Sequence, residues 1–231
     1  MTVGMRPATL GDLPLICRLR VQRTAWLTTR GSDQWTVAGR GRPIEIFACA
    51  VGRALDAGET WIAEVDGEPA GTITVNHRAD PGLWSPWELA ESMIVHFMIV
   101  DLHFAGLQIG HRMLEHAARL AEKKHRDWVR LDAWTSNREL HDYYRRAGFT
   151  LARIAGPRAR GPASARLERR SDSWGCPPGG GPAGPRGPPP PGPQTPPTPP
   201  PPPPHPGPPP RGGGGAGPLR GPPGRGPPTV G

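Results

Sequence analysis

The apolar and polar positions of the first 170 residues change their period several times along the chain. Where apolar residues recur three and four positions apart, the spacing predicts helices. These run from about Leu13 to Thr29, from Pro43 to Gly58, from Gly110 to Lys123 and from Asn137 to Ala147. Where apolar residues alternate or run together, the pattern predicts strands. These are Thr2–Pro7, Trp61–Val65, Gly71–Val75, Met93–Val100, Trp128–Trp134, Phe149–Ile154 and Ala163–Arg169. The order predicts a mixed α/β domain.

Two connections between these elements carry turn signals. Asp66-Gly67 is typical of a two-residue hairpin turn, but the Glu68-Pro69 pair that follows favours a longer one. The segment Ala79–Ala90 is rich in proline and tryptophan, and we predict a loop there.

The last 61 residues, Ser171–Gly231, have a composition unsuited to a packed core, because 26 are proline and 17 are glycine. That content lies far above the roughly 25–30% of proline plus glycine that marks low-complexity sequence. We therefore predict a folded domain over residues 1–170 and a disordered tail over 171–231. Pro-x-x-Pro segments can bind aromatic grooves of partner proteins, but we favour a tail without function.

Composition and charge exclude several classes of protein. The net charge of +8 is spread without a run of basic residues that would follow a nucleic-acid backbone. No stretch of about 18 apolar residues predicts a membrane helix, and the N-terminus lacks the order of a signal peptide. Cys17, Cys49 and Cys176 show no metal-binding spacing. We expect a cytoplasmic protein with no nucleic-acid partner, no membrane and no metal.

A strand, loop and helix between Met93 and Lys123 form the most informative unit. The loop contains Gly106 and Gly110, and Gly110 opens the helix. Backbone N–H groups at a helix N-terminus bind phosphate without a basic side chain. An ordinary turn uses glycine as well, so the two glycines alone leave both interpretations open.

Two longer segments resemble the GNAT superfamily of acetyl-CoA-dependent N-acetyltransferases. Met98–Gly110 resembles the family's pyrophosphate loop, Gln/Arg-x-x-Gly-x-Gly/Ala after a central strand, and Asn137–Phe149 resembles its Asn…Tyr-x-x-x-Gly-Phe signature. Three further segments are similar to the family's opening or to one bacterial subgroup, namely Met5–Pro14, Trp26–Trp35 and Leu131–Trp134. The resemblance covers about Gly4 to Arg169. It departs from the loop pattern at Ala105 and Gln108.

The resemblance implies a fold and an activity. The fold is a mixed α/β (α+β) domain with a central, mostly antiparallel sheet, splayed between strands 4 and 5 and flanked by about four helices. The activity is transfer of the acetyl group of acetyl-CoA to a primary amine by direct attack in a ternary complex. The alternative, motivated by Ala105 and Gln108, is a non-catalytic CoA-binding or protein-interaction module. A Gln108 that needs a positive φ would be strained.

The resemblance also implies which residues hold the co-substrate acetyl-CoA. They are backbone groups of the fourth strand and the phosphate loop, together with one asparagine, namely Phe97, Met98, Ile99, Val100, Ala105, Gly106, Leu107, Gln108, Ile109, Gly110, His111 and Asn137. Tyr144 matches the family's general acid, because a phenol with a pKa of about 10 is protonated at pH 7 and can donate. Asn137 can also cap a helix.

The general base and the acceptor site are less constrained by the sequence. His96 in the fourth strand or Glu91 before it could take the amine proton, and Glu88 lies in the same loop. We expect the acceptor, a small-molecule or peptide amine, to lie between the first two helices and the Ala79–Glu91 loop. Four tryptophans are candidates to line that site, namely Trp26, Trp35, Trp84 and Trp87. A homodimer is one oligomeric state that we consider.

Overall fold

The computed structural model describes residues 1–32, 34–36, 43–79, 82–154 and 165–174. These residues form one seven-stranded sheet and five α-helices. The strands are β1 Val3–Pro7, β2 Thr60–Val65, β3 Glu68–Asn76, β4 Ser92–Val100, β5 Trp128–Ala133, β6 Thr150–Ile154 and β7 Ala165–Arg170. The helices are α1 Leu13–Thr29, α2 Ile44–Asp56, α3 Pro86–Ala90, α4 Ile109–Lys123 and α5 Arg138–Arg146. The predicted fold class is confirmed.

The sheet has the order β1-β2-β3-β4-β5-β7-β6, and β4 and β5 are its parallel pair. Their pairing runs from Ser92 opposite Trp128 to Val95 opposite Leu131. Beyond that point β4 continues to Val100 and β5 to Ala133 without pairing to each other. The two strands therefore leave a gap in the middle of the sheet, which is the predicted splay.

Helices cover both faces of the sheet. On one face α4 and α5 bury a core with the sheet, to which Ile109, Met113 and Ala117 of α4 belong. On the other face α1 and α2 bury a smaller core around Phe47 and Ile62. The gap between β4 and β5 thus lies between two apolar layers. No helix in the described part of the chain is long and apolar enough to cross a bilayer.

Two connections differ from their predictions. The β2–β3 turn contains only Asp66 and Gly67, because Glu68 already pairs with Val65 and both turn residues have positive φ. The segment predicted as a loop contains the short helix α3. Ser85 caps it by accepting a hydrogen bond from the Glu88 backbone, and Pro86 occupies its first turn. This capping box overrides the loop signal of the prolines.

The packed chain continues to Trp174, four residues beyond the predicted boundary at Arg170. The Ser171 backbone N–H donates to the Asp127 carbonyl and its Oγ donates to the Arg126 carbonyl, each at 2.9 Å. The Trp174 ring packs against the α4–α5 core, with the Arg169 guanidinium 3.9 Å from its centroid. The residues of the predicted tail after Trp174 lie outside the described residues.

We predict that a chain ending at Arg170 is less stable than a chain ending at Trp174. It loses the two Ser171 hydrogen bonds and the Trp174 packing, which should lower the free energy of unfolding by roughly 2–4 kcal/mol. Urea unfolding of both chains beside the full-length protein measures the difference. The chain ending at Trp174 should match the full-length protein, and equal stability of all three would contradict the prediction.

Candidate active site

A cavity of about 1500 Å³ occupies the gap between β4 and β5. Its walls come from both faces of the sheet, since α1 and α2 line one side and α4 and α5 the other. Because the gap lies between the two helical layers, side chains from both faces of the sheet can contact a ligand there. The predicted site residues can be placed relative to this cavity.

A bulge in β4 shapes the middle of the cavity. Thr72 of β3 lies opposite Ile99 and Thr74 lies opposite His96, so β4 holds two residues where β3 holds one. One of them, Phe97, has a φ of +48°, and both Phe97 and Met98 line the cavity. A bulge turns backbone groups away from the ladder. Backbone donors aimed at a cavity can stabilise a developing oxyanion.

The loop between β4 and α4 passes twice through the left-handed region. Gly106 has a φ of +87°, and Gln108, the N-cap of α4, has a φ of +60° in the left-handed region. Gly106, Gln108 and His111 line the cavity, as do the other predicted co-substrate residues except Leu107, which is 39% exposed. The expected strain at Gln108 is therefore present, and the α4 N-terminus faces the cavity.

Tyr143 is a site residue that the sequence analysis did not select. A methyl group on Gly110 would overlap the Tyr143 hydroxyl, so this phenol lies against the first turn of α4. Its hydroxyl is buried and has no hydrogen-bond partner among the described residues. Burial raises the pKa of Tyr143 to about 12, so the hydroxyl is a neutral donor. The sequence signal was Gly110 itself, where only a missing side chain admits the ring.

Tyr144 lies beside Tyr143 and also lines the cavity. Its ring is 6% exposed and packs edge-on against Phe149, with centroids 5.7 Å apart. Burial raises the pKa of Tyr144 above its ordinary value, and the neighbouring charges of Tyr143 and Asp132 raise it further. The phenol therefore keeps its proton at neutral pH, as a general acid requires.

Asn137 connects α5 to the segment that follows α1. Its Oδ1 accepts from the Leu140 N–H at 3.0 Å, which caps α5, and its Nδ2 donates to Gln34 Oε1 at 2.9 Å. Gln34 is 7% exposed and lines the cavity. Arg30 and Glu139 form a second link at 3.0 Å. The predicted capping role is confirmed, and Gln34 and Trp35 border the cavity beside Asn137.

The structure separates the candidate bases. His96 lines the cavity, and its Nε2 lies 2.7 Å from the Arg78 carbonyl oxygen. Because a carbonyl only accepts, Nε2 carries a proton and donates it in this hydrogen bond. Glu91 lies outside the cavity lining, at the C-terminal end of α3. Glu88 pairs with Arg153 at 2.5 Å, which lowers its pKa to about 2 and makes it a poor base.

Asp132 is an acidic lining residue that the sequence analysis did not select. It alternates along β5 with the core residues Leu131 and Ala133, so its side chain projects away from the α4–α5 core. It directly follows the last residue of β5 that pairs with β4. A carboxylate at this point can hold an ammonium group.

The four tryptophans divide into two pairs. Trp26 and Trp35 line the cavity, and the Arg20 guanidinium lies 3.7 Å from the centroid of Trp35, which has a φ of +74°. Trp84 and Trp87 do not line it, contrary to the expectation for the acceptor site. The capping box of α3 turns this segment away, so that Trp84 packs beside Arg130 and Trp87 is 73% exposed.

Comparison with known proteins places these features in a family. Residues 56–151 match the family model described as "Acetyltransferase (GNAT) domain". This stretch of the chain resembles the GNAT superfamily of acetyltransferases. The uncharacterized N-acetyltransferase YesJ of Bacillus subtilis is 29% identical over 146 residues, which cover 62% of this chain and 79% of YesJ.

Solved GNAT structures share the fold. A GNAT-family acetyltransferase from Listeria monocytogenes has a TM-score of 0.59 and 22% identity, covering 73% of this chain and 94% of that one. The PaiA N-acetyltransferase from Thermoplasma acidophilum, solved in complex with coenzyme A, has a TM-score of 0.51 and 16% identity, covering 74% and 99%. The predicted GNAT resemblance is confirmed.

We predict that Gln108→Gly stabilises the protein. Glycine adopts the left-handed conformation freely, so the variant should gain about 1 kcal/mol in free energy of unfolding. Thermal or urea unfolding measures the gain. The matched control Gln108→Ala keeps a Cβ in the same conformation and should gain nothing, and an equal effect of both variants would contradict the prediction.

Proposed function

We propose that this GNAT domain transfers the acetyl group of acetyl-CoA to a primary amine by direct attack in a ternary complex. The observation that carries the proposal is the convergence on one cavity of a bulged strand, an open helix N-terminus and two protonated phenols. These are the backbone and side-chain donors that acyl transfer from a phosphorylated thioester requires.

We assign residues of the cavity to each part of acetyl-CoA. The N–H groups of the first turn of α4, from Ile109 to His111, would hold the pyrophosphate, with the Tyr143 hydroxyl as an additional donor. The edge of β4 that faces the gap, around Met98, would pair with the pantetheine arm as an added strand does. At the end of this edge the Val100 carbonyl accepts a hydrogen bond from Arg23 Nη2. Asn137 would position that arm from α5. Acetyl-CoA supplies an acyl group already activated as a thioester.

The reaction balances with the groups that line the cavity. The amine nitrogen forms a bond to the acetyl carbon, the carbon–sulfur bond breaks, and the thiolate takes a proton from Tyr144. A backbone N–H at the Phe97–Met98 bulge would stabilise the oxyanion. His96 Nδ1 or the Asp132 carboxylate would first take a proton from the substrate ammonium, which leaves a neutral amine to attack. The raised pKa of Tyr144 keeps its phenol protonated at neutral pH, so that a proton is present for the leaving thiolate.

The second candidate function is a CoA-binding or protein-interaction module without catalysis. The left-handed Gln108, where the family has glycine, favours it because the strained loop costs stability without adding a donor. Turnover separates the two functions.

We predict that the full-length protein binds acetyl-CoA with micromolar affinity. Isothermal titration calorimetry measures binding, with free CoA as the matched ligand, and we expect similar affinities because the phosphates and the pantetheine arm make most contacts. Gly106→Ala is the control variant, since an alanine at a φ of +87° should distort the cradle and weaken binding. Absence of binding to folded protein would refute the proposed function.

We predict that Tyr144→Phe and Tyr143→Phe have different effects. Tyr144→Phe removes the acid and should lower kcat by about 10²–10⁴-fold with acetyl-CoA affinity unchanged. Tyr143→Phe removes a donor to phosphate and should weaken acetyl-CoA binding about tenfold with kcat nearly unchanged. Steady-state kinetics and calorimetry measure both. Because the Tyr143 hydroxyl has no described partner, its loss should not lower stability, whereas equal losses of stability and binding would indicate a packing role.

A further inference from the structure

The order of residues along β4 divides the cavity into two ends. Val100 precedes the phosphate loop and the N-terminus of α4, so we call this side the phosphate end. The bulge at Phe97 marks the middle, and His96 lies on the far side of it, opposite Thr74 of β3. We call the side lined by α2, by the end of β3 and by His96 the acceptor end. A thioester held at the bulge would meet its amine there.

Two arginines line the acceptor end from different elements. Arg53 is an exposed residue in the last turn of α2, between the lining residues Ala50 and Ala54. Arg78 follows β3, and its carbonyl oxygen accepts from the His96 ring. The chain between α2 and β2 links the two elements, because the Glu59 N–H donates to the Ala54 carbonyl at 2.9 Å and the Glu59 carboxylate pairs with Arg78.

The charges of the cavity lining are strongly unbalanced. Five arginines line the cavity, but only two carboxylates do among the described residues, Asp132 and Glu139. Glu139 is bonded to Arg30 on the α5 side. Arg53 has no hydrogen bond or ion pair with the described residues, and Arg78 shares a single carboxylate, that of Glu59, with Asn76. The acceptor end therefore presents guanidinium N–H groups that can bind an anion.

The same end also offers a place for the reacting amine. Asp132 lies on β5 and directly follows Leu131, the last β5 residue that pairs with β4. Its negative charge helps to raise the pKa of Tyr144. An ammonium group would be attracted to Asp132 near the bulge, and an anionic group on the same molecule would be attracted to Arg53 and Arg78. A polycationic acceptor would meet two arginines where it needs carboxylates.

We propose that the acceptor is a primary amine that also carries an anionic group, a carboxylate or a phosphate, bound by Arg53 and Arg78 at the acceptor end. This inference rests on the proposed acetyltransferase function. The simpler role for Arg53, to complement the C-terminal dipole of α2, predicts an effect on stability and none on acceptor choice.

The test measures thiol release from acetyl-CoA with matched acceptors. The carboxylate arm compares L-amino acids with their amides, the phosphate arm compares O-phosphoethanolamine with ethanolamine, and spermidine represents polycations. We expect kcat/KM to be at least tenfold higher for the anionic member of one pair. Arg53→Gln and Arg78→Gln should each lower kcat/KM for that member about 10–100-fold, mainly through KM, and should lower kcat/KM for its neutral counterpart much less.

Control variants and binding separate the outcomes. Arg53→Lys keeps the charge and should retain part of the preference, and Arg18→Gln, an exposed arginine of α1 outside the cavity lining, should behave as the wild type. Two results would overturn the acceptor proposal and leave the proposed function standing. One is a preference for amides or spermidine. The other is a protein that binds acetyl-CoA but turns over no anionic amine. Failure to bind acetyl-CoA overturns the proposed function first.

Discussion

The separation of β4 from β5 after Val95 and Leu131 is the constraint on which the site depends. Two parallel strands that stop pairing leave backbone N–H and C=O groups without ladder partners, and such groups are costly unless a ligand or water satisfies them. The bulge at Phe97 turns the backbone at this point. Helices on both faces then make the gap a cavity rather than a loose sheet edge.

The loop after β4 carries the second constraint, because it must turn the chain into α4 within a few residues. Gly106 and Gln108 make this turn in the left-handed region, one without strain and one with it. The turn aims the N-terminus of α4 at the gap, and Gly110 makes room there for the Tyr143 hydroxyl. An uncompensated buried phenol is unfavourable in the isolated protein. Burial of the same hydroxyl becomes favourable once a bound group accepts a hydrogen bond from it, as a phosphate oxygen would.

Gln34 and Trp35, which follow α1, contact residues of both helical layers beside the cavity. Gln34 reaches the N-cap of α5, and Trp35 takes a strained conformation over Arg20. These contacts join elements from opposite faces of the sheet across the gap. Arg53 of α2 and Arg78 after β3 add positive charge to the lining of the same cavity.

The sequence by itself determined the seven strands, the four longer helices and their order, because period, capping residues and glycines act locally. The boundaries of α1 followed from such local signals, whereas the strain expected at Gln108 followed from the loop pattern of the family. The family resemblance added the splay and Tyr144. Only the tertiary structure decided that Tyr143 faces Gly110, that Asp132 lines the gap and that Trp84 and Trp87 turn away. Each of these depends on a contact between residues far apart in the chain, or on a capping box that rotates a short segment. Spacing along a sequence assigns a side chain to a face, but only the packed elements determine what that face meets.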